Sequence, residues 1–161
     1  MKIIYLINGR KYGYHKTLAR DFLEVIPGEV LDMSDGTPFG QRYYELEEKD
    51  PDVIITFDLA GHDLRTGSGT LSLNNLYARM AHILFHDPDR YGRDAALRQN
   101  LSMFMYIPAK EDGAYSANLQ DVPNIRSFVP VRYMADSAEE HAGNVENIKV
   151  WWERFKKDAM L

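Results

Sequence analysis

Val53–Phe57 is an apolar, β-branched run set between Asp50-Pro51-Asp52 and a polar stretch that opens at Asp58. No charge interrupts it, so it suits a strand buried on both faces, as in a parallel sheet covered by helices. A chain holding such a strand must supply helices to cover it and must expose its polar loops at the sheet ends. The residues that follow meet the second demand. Asp58, Gly61, His62, Asp63 and Arg65 lead into Thr66-Gly67-Ser68-Gly69-Thr70, and Leu73, Leu76, Tyr77 and Met80 then recur at helical spacing. His82–Phe85 reads as another buried strand, opening into His86-Asp87-Pro88-Asp89. Ligands of open α/β sheets collect outside the carboxyl ends of the strands, which is where both polar loops fall.

The flanking sequence repeats the alternation. Ile3–Ile7 is a first strand, ending in the glycine-bearing, basic loop Asn8–Gly13. A helix follows, with Leu18, Phe22, Val25 and Ile26 on one face and Pro27-Gly28 as its stop. Glu29–Met33 is a second strand, and Ser34–Pro38 caps a helix over roughly Phe39–Lys49. Arg93–Asn100 reads as a short helix, Met103–Ile107 as a strand, Pro108 to Gln120 as a loop with a brief helix, and Asn124–Val131 as a further strand. Ser137 caps an acidic first turn (Glu139, Glu140), and a helix from about Asn144 carries Val145, Ile148, Trp152 and Phe155 on one face, with Lys156 and Lys157 at its carboxyl end. The expected fold is a single Rossmann-like α/β domain over residues 1–161: a doubly wound, mainly parallel sheet of five or six strands with helices on both faces.

Composition narrows the function. The 161 residues are 45% hydrophobic and 27% charged, a globular mixture with room for one core. A formal net charge of −5 disfavours nucleic acid and anionic membrane as partners. Without cysteine there are no disulfides and no thiolate metal ligands. The first apolar run is too short for a signal peptide, and no segment approaches the roughly 20 apolar residues of a membrane span. A cytoplasmic protein is expected.

Several groups carry candidate chemistry. The Thr66–Thr70 loop precedes a helix start, so its amides, the hydroxyls of Ser68 and Thr70, and Arg65 suit a phosphate or carboxylate; a flexible loop with a plain helix cap is the alternative. The Asn8–Gly13 loop, with Gly9 and Arg10, lacks the G-x-G-x-x-G spacing and reads equally as an anion site or a simple turn. His62 or His86 can act as a general base oriented by Asp58, Asp63 or Asp87. The set Asp58, His62, Asp63, His86, Asp87 and Asp89 also has the chemistry of a divalent-metal site, but its spacing matches no metal motif and Asp87-Pro88-Asp89 is good turn chemistry. No cofactor is expected, with a divalent metal as the alternative. His82 reads as a satisfied histidine at a strand start, and His15 and His141 as surface or cap residues. Trp151 and Trp152 point about 100° apart on a helix, so one lies at the edge of the covered face, where a dimer contact is possible.

Lys2–Gly13, the segment "PDVIITFD" (Pro51–Asp58), "ILFHDP" (Ile83–Pro88) and "VPNIRSFVPV" (Val122–Val131) together carry a family resemblance. The chain resembles the N-terminal, acceptor-side domain of GT-B-fold glycosyltransferases and is most similar to their spore-maturation-type branch. That resemblance implies an acceptor cleft near Gly9, Asp58 and Asp87, and a second, nucleotide-sugar-binding domain that this sequence, ending at Leu161, does not contain. The expected function is therefore binding of a small polar, sugar- or phosphate-type ligand, by a homodimer or with a partner chain. Two other classes stay open: a small hydrolase or transferase using His62, His86, Asp58 and Asp87, and a structural or dimerisation subunit.

Overall fold

The computed structural model describes residues 1–58, 60, 73, 76–85, 104–108, 125–128, 131–132 and 134–161. Its strands are β1 (Ile3–Ile7), β2 (Glu29–Asp32), β3 (Val53–Phe57), β4 (Arg79–Ile83), β5 (Phe104–Pro108) and β6 (Ile125–Phe128), and its helices are α1 (Tyr14–Val25), α2 (Phe39–Lys49) and α3 (Ala138–Asp158). The α/β architecture with a parallel sheet read from the sequence is present. The strands lie in the order β2-β1-β3-β4-β5-β6, and every pairing is parallel. β3 sits in the interior of that order, and all five of its residues are buried, as an uninterrupted apolar run requires.

Alternate residues of the central strands feed two cores. Ile3, Tyr5, Ile7, Ile55, Phe57 and Ala81 face α1 and α3, meeting Phe22, Trp151 and Phe155. Ile4, Leu6, Ile54 and Met80 turn the other way and meet Leu46 of α2 together with Leu73. The two faces follow from direction. The β1-to-β2 crossover steps one way across the sheet and the β2-to-β3 crossover steps back over β1, so with one handedness the two helices fall on opposite faces. β1 and β3 are therefore the point where the winding reverses. This is the second common doubly wound order, distinct from the dinucleotide-binding order 3-2-1-4-5-6.

Two local readings change. Leu73, Leu76 and Met80 do not share a helix, because Arg79–Ile83 is strand β4, paired with β3 from Val53↔Arg79 to Phe57↔Ile83. Their spacing arises because all three pack into the α2-side core, two of them buried and Leu76 partly so. β4 thus starts three residues before the expected His82, and the His82 ring lies within it, buried and hydrogen-bonded to the Thr56 hydroxyl across the β3–β4 pair.

In α3, Ser137 accepts the Glu140 N–H at 3.1 Å, so the cap and its acidic turn stand as read. The helix, however, begins at Ala138, and its buried face is Asn144, Ile148, Trp151 and Phe155. Val145 is half-buried, and Trp152 is the edge residue, with Lys156 Nζ 5.9 Å from its ring centroid. Asn144 moved the face by one residue: apolar counting omits it, yet it is buried through hydrogen bonds. Among the described residues, no helix is long and apolar enough to cross a membrane.

Candidate functional site

The reversal of winding sends the chain off β1 toward one face and off β3 toward the other, and it is at such carboxyl ends that doubly wound sheets form a crevice. Three turns meet there: residues 8–13 after β1, residues 33–35 after β2, and Asp58 after β3.

The β1 turn is built around Asn8. Its side-chain oxygen accepts the Lys11 N–H at 3.0 Å, and its carbonyl accepts the Tyr12 N–H at 2.9 Å. Its own N–H donates to His15 Nδ1 at 3.0 Å. That bond decides the histidine tautomer: Nδ1 is the acceptor, so the proton sits on Nε2. Nε2–H in turn donates to Asp58 Oδ2 at 2.9 Å.

Asp58 has a left-handed backbone (φ 47°), a conformation short polar residues tolerate better than most. Its N–H continues the ladder to Ile83 O, and its side chain folds back into the protein. Oδ1 accepts the Phe85 N–H at 2.9 Å, while Oδ2 accepts both His15 and the Tyr14 hydroxyl. The carboxylate is fully buried. One side chain therefore ties the start of α1 and the ends of β3 and β4 together. A buried carboxylate is tolerable only with such donors around it.

Asp32 closes the other side. Its Oδ1 accepts the Gly9 N–H at 3.1 Å, the Ser34 N–H at 2.9 Å and the Ser34 hydroxyl at 2.5 Å. The Arg10 N–H donates to Ser34 Oγ at 3.0 Å. Partial burial pushes the Asp32 carboxyl up, but the Ser34 and Gly9 bonds and the nearby Lys16 charge outweigh it and hold the group below the usual carboxylate range. Gly9 is required by this approach, since a Cβ there would lie 2.6 Å from Asp32 Oδ2 and 2.7 Å from Lys16 Cε. On the Asp58 and His15 side stand the half-buried rings of Tyr12, Tyr14 and Phe85; Tyr12 and Tyr14 have centroids 5.8 Å apart, and Tyr14 and Phe85 6.3 Å.

The sequence-based candidates divide as follows. Gly9 and Arg10 lie at this edge, with their amides bonded to Asp32 and Ser34. Asp58 is at the expected edge but within the interior, because its donors face inward. His62, Asp63, Arg65, Gly67, Ser68, Gly69, Thr70, His86 and Asp87 lie outside the described residues, as does Asp89 of the metal reading. Among the described residues, no group of three or more His, Asp or Glu could hold a metal. His15 is corrected from a surface or cap residue to a fully buried one, and His141 is half-buried against Asp21. The sequence reading missed Tyr14, His15, Asp32 and Ser34. Asp32 had a visible signal, an acidic residue ending the strand beside the β1 glycine turn.

A cavity of about 440 Å³ opens at the start of α3. The polar side chains of Arg132, Ser137, Glu140 and Asn144 on its wall are bonded among themselves or to neighbouring backbone.

No family model matches the sequence, and no curated protein matches it. Among solved structures, the chain is similar to the flavodoxin-like domain from a Synechococcus sp. protein, at 12% identity and a TM-score of 0.43, covering 96% of this chain and 99% of that one. The glycosyltransferase resemblance is thereby corrected: the structure found is a flavodoxin-like domain and no finding points to a GT-B half. Two of the segments that suggested it, "PDVIITFD" and "ILFHDP", are apolar runs leading into aspartate, as buried parallel strands do when they reach a polar edge.

Proposed function

We propose that this chain is a binding domain for a small polar ligand, held at the carboxyl edge of the sheet where β1 and β3 diverge. The observation that carries this reading is the arrangement at that point. The Asn8–Gly13, Asp32–Ser34 and Asp58 turns are braced into one rim, with the Tyr12, Tyr14 and Phe85 rings on its Asp58 side and the Asp32 carboxylate on its Gly9 side. Aromatic rings and a fixed acceptor on one rim suit a hydroxylated ligand, and a braced rim lowers the ordering cost of binding. The bonding of His15 supports binding over turnover by the described residues. Both of its ring nitrogens are engaged, Nδ1 by Asn8 and Nε2 by Asp58, so it has no lone pair to offer a substrate proton.

The test is an amide NMR titration with ribose, glucose and inorganic phosphate. Shifts confined to residues 8–16, 32–34 and 84–85 are expected with at least one of them. Shifts elsewhere, or none at millimolar concentrations with any of the three, overturn the reading.

A further inference from the structure

The turn between a first strand and first helix is a common place for phosphate in doubly wound sheets, because glycine-freed amides and the helix start present positive charge there. In this chain the turn already holds an anion of its own. Asp32 Oδ1 takes the Gly9 and Ser34 amides and the Ser34 hydroxyl, and that same Ser34 oxygen takes the Arg10 amide. Oδ2 accepts none of these bonds, and it lies beside Gly9 and Lys16. An incoming phosphate would find these three amides engaged and a carboxylate beside them. A ligand hydroxyl would find an acceptor oxygen already fixed in place.

We propose that Asp32 is the specificity-determining residue of this edge: as the turn's internal anion it excludes phosphate-bearing ligands and selects an uncharged, hydroxyl-rich one, which it binds through Oδ2. The ligand half of this statement rests on the binding reading above, while the exclusion of phosphate stands without it. The role has a simple logic. Removing the carboxylate should return the Gly9 and Ser34 amides to solvent and turn the loop into an ordinary anion cradle.

The experiment compares the wild type with Asp32→Ala, titrating each with inorganic phosphate against sodium chloride of equal ionic strength and reading melting temperature and the Gly9 and Ser34 amide signals. The wild type should show no phosphate-specific response. Asp32→Ala should bind phosphate at least about tenfold more tightly than the wild type, raise its melting temperature accordingly, and move those two signals. Should Asp32→Ala fail to fold, Asp32→Ser, which keeps an oxygen near the turn, carries the same readings. Phosphate shifting the Gly9 and Ser34 signals of the wild type overturns the proposal, and so does a folded variant that ignores phosphate. Ribose and glucose are titrated in parallel. A wild type silent to both sugars, with a phosphate-responsive variant, sinks the binding reading and the ligand half, and leaves Asp32 as the excluding group.

Discussion

Two buried carboxylates, Asp58 and Asp21, are each partnered by a histidine, and each ties α1 to another part of the molecule. Asp58 receives Tyr14 and His15 from the first turn of α1 and Phe85 from the end of β4. Asp21, midway along α1, receives His141 Nδ1–H at 2.9 Å and 3.0 Å, and the Asn144 side-chain amide at 2.9 Å, all from α3. Asn144 goes on to bridge the Arg132 backbone through both ends of its side chain. The difference lies in where the partners can go. His15 has no exposure, whereas the His141 side chain is 34% exposed. The first pair locks the geometry of the candidate site, and the second locates a helix. The same chemistry thus serves site and scaffold, and the cost of breaking it depends on whether water can replace the lost partner.

Substitutions can break that comparison, beginning with the largest effect. Asp58→Ala leaves His15, the Tyr14 hydroxyl and the Phe85 amide without their acceptor in the interior, so chemical denaturation should report a loss of about 3–5 kcal/mol. A loss under about 1 kcal/mol, within the range of exposed ion pairs, would mean the clamp does not hold the edge. Trp151→Ala removes a large ring packed on Phe22, Tyr106 and Phe155 and should cost about 3–5 kcal/mol. Trp152→Ala should cost clearly less, and a reversed ranking would restore Trp152 as the core residue. Asp21→Ala should cost about 1–3 kcal/mol, below Asp58→Ala, because His141 can turn to water. Equal losses for the two aspartates would remove the distinction between them.

The smallest effect belongs to Asp32, a half-buried carboxylate more exposed than either. Its folded-state affinity for protons is lowered, so its contribution is present above the ordinary aspartate value of about 3.9 and is lost as pH falls below it. In that window the unfolded chain takes up a proton that the folded one resists. The acid limb of the stability curve should therefore be shallower in Asp32→Asn than in the wild type. Identical limbs would show that the Gly9 and Ser34 bonds do not hold the carboxylate ionised.

Local spacing was enough for some elements and not for others. The runs Ile3–Ile7 and Val53–Phe57 were legible to the residue and the helix Phe39–Lys49 closely, because each is bounded by polar residues or proline that stop its pattern. The stretch from Leu73 to Met80 was not, since three apolar residues facing one core imitate helical spacing even when the chain enters a strand. Of the candidate residues, Gly9, Arg10 and Asp58 were legible by position, at the ends of two parallel strands, while the loops after β3 and β4 that the sequence favoured lie outside the described residues.

By itself, then, the sequence determined that Ile3–Ile7 and Val53–Phe57 are buried strands, that helices must cover them on both sides, and that polar turns follow them at the carboxyl edge. These follow from interactions within a few residues: burial of an apolar run, helix periodicity and capping. The tertiary structure decided what the polar residues do. Asp58 turns inward because Tyr14 and His15, more than forty residues earlier, arrive beside it with donors. Asp32 becomes the anion of the β1 turn because β2 pairs with β1 and sets its last residue next to Gly9. Asn144 joins the core because Asp21 and the Arg132 backbone meet it there. A polar side chain takes its role from the donors and acceptors that surround it, and in a parallel sheet those come from distant crossovers, beyond the reach of local spacing.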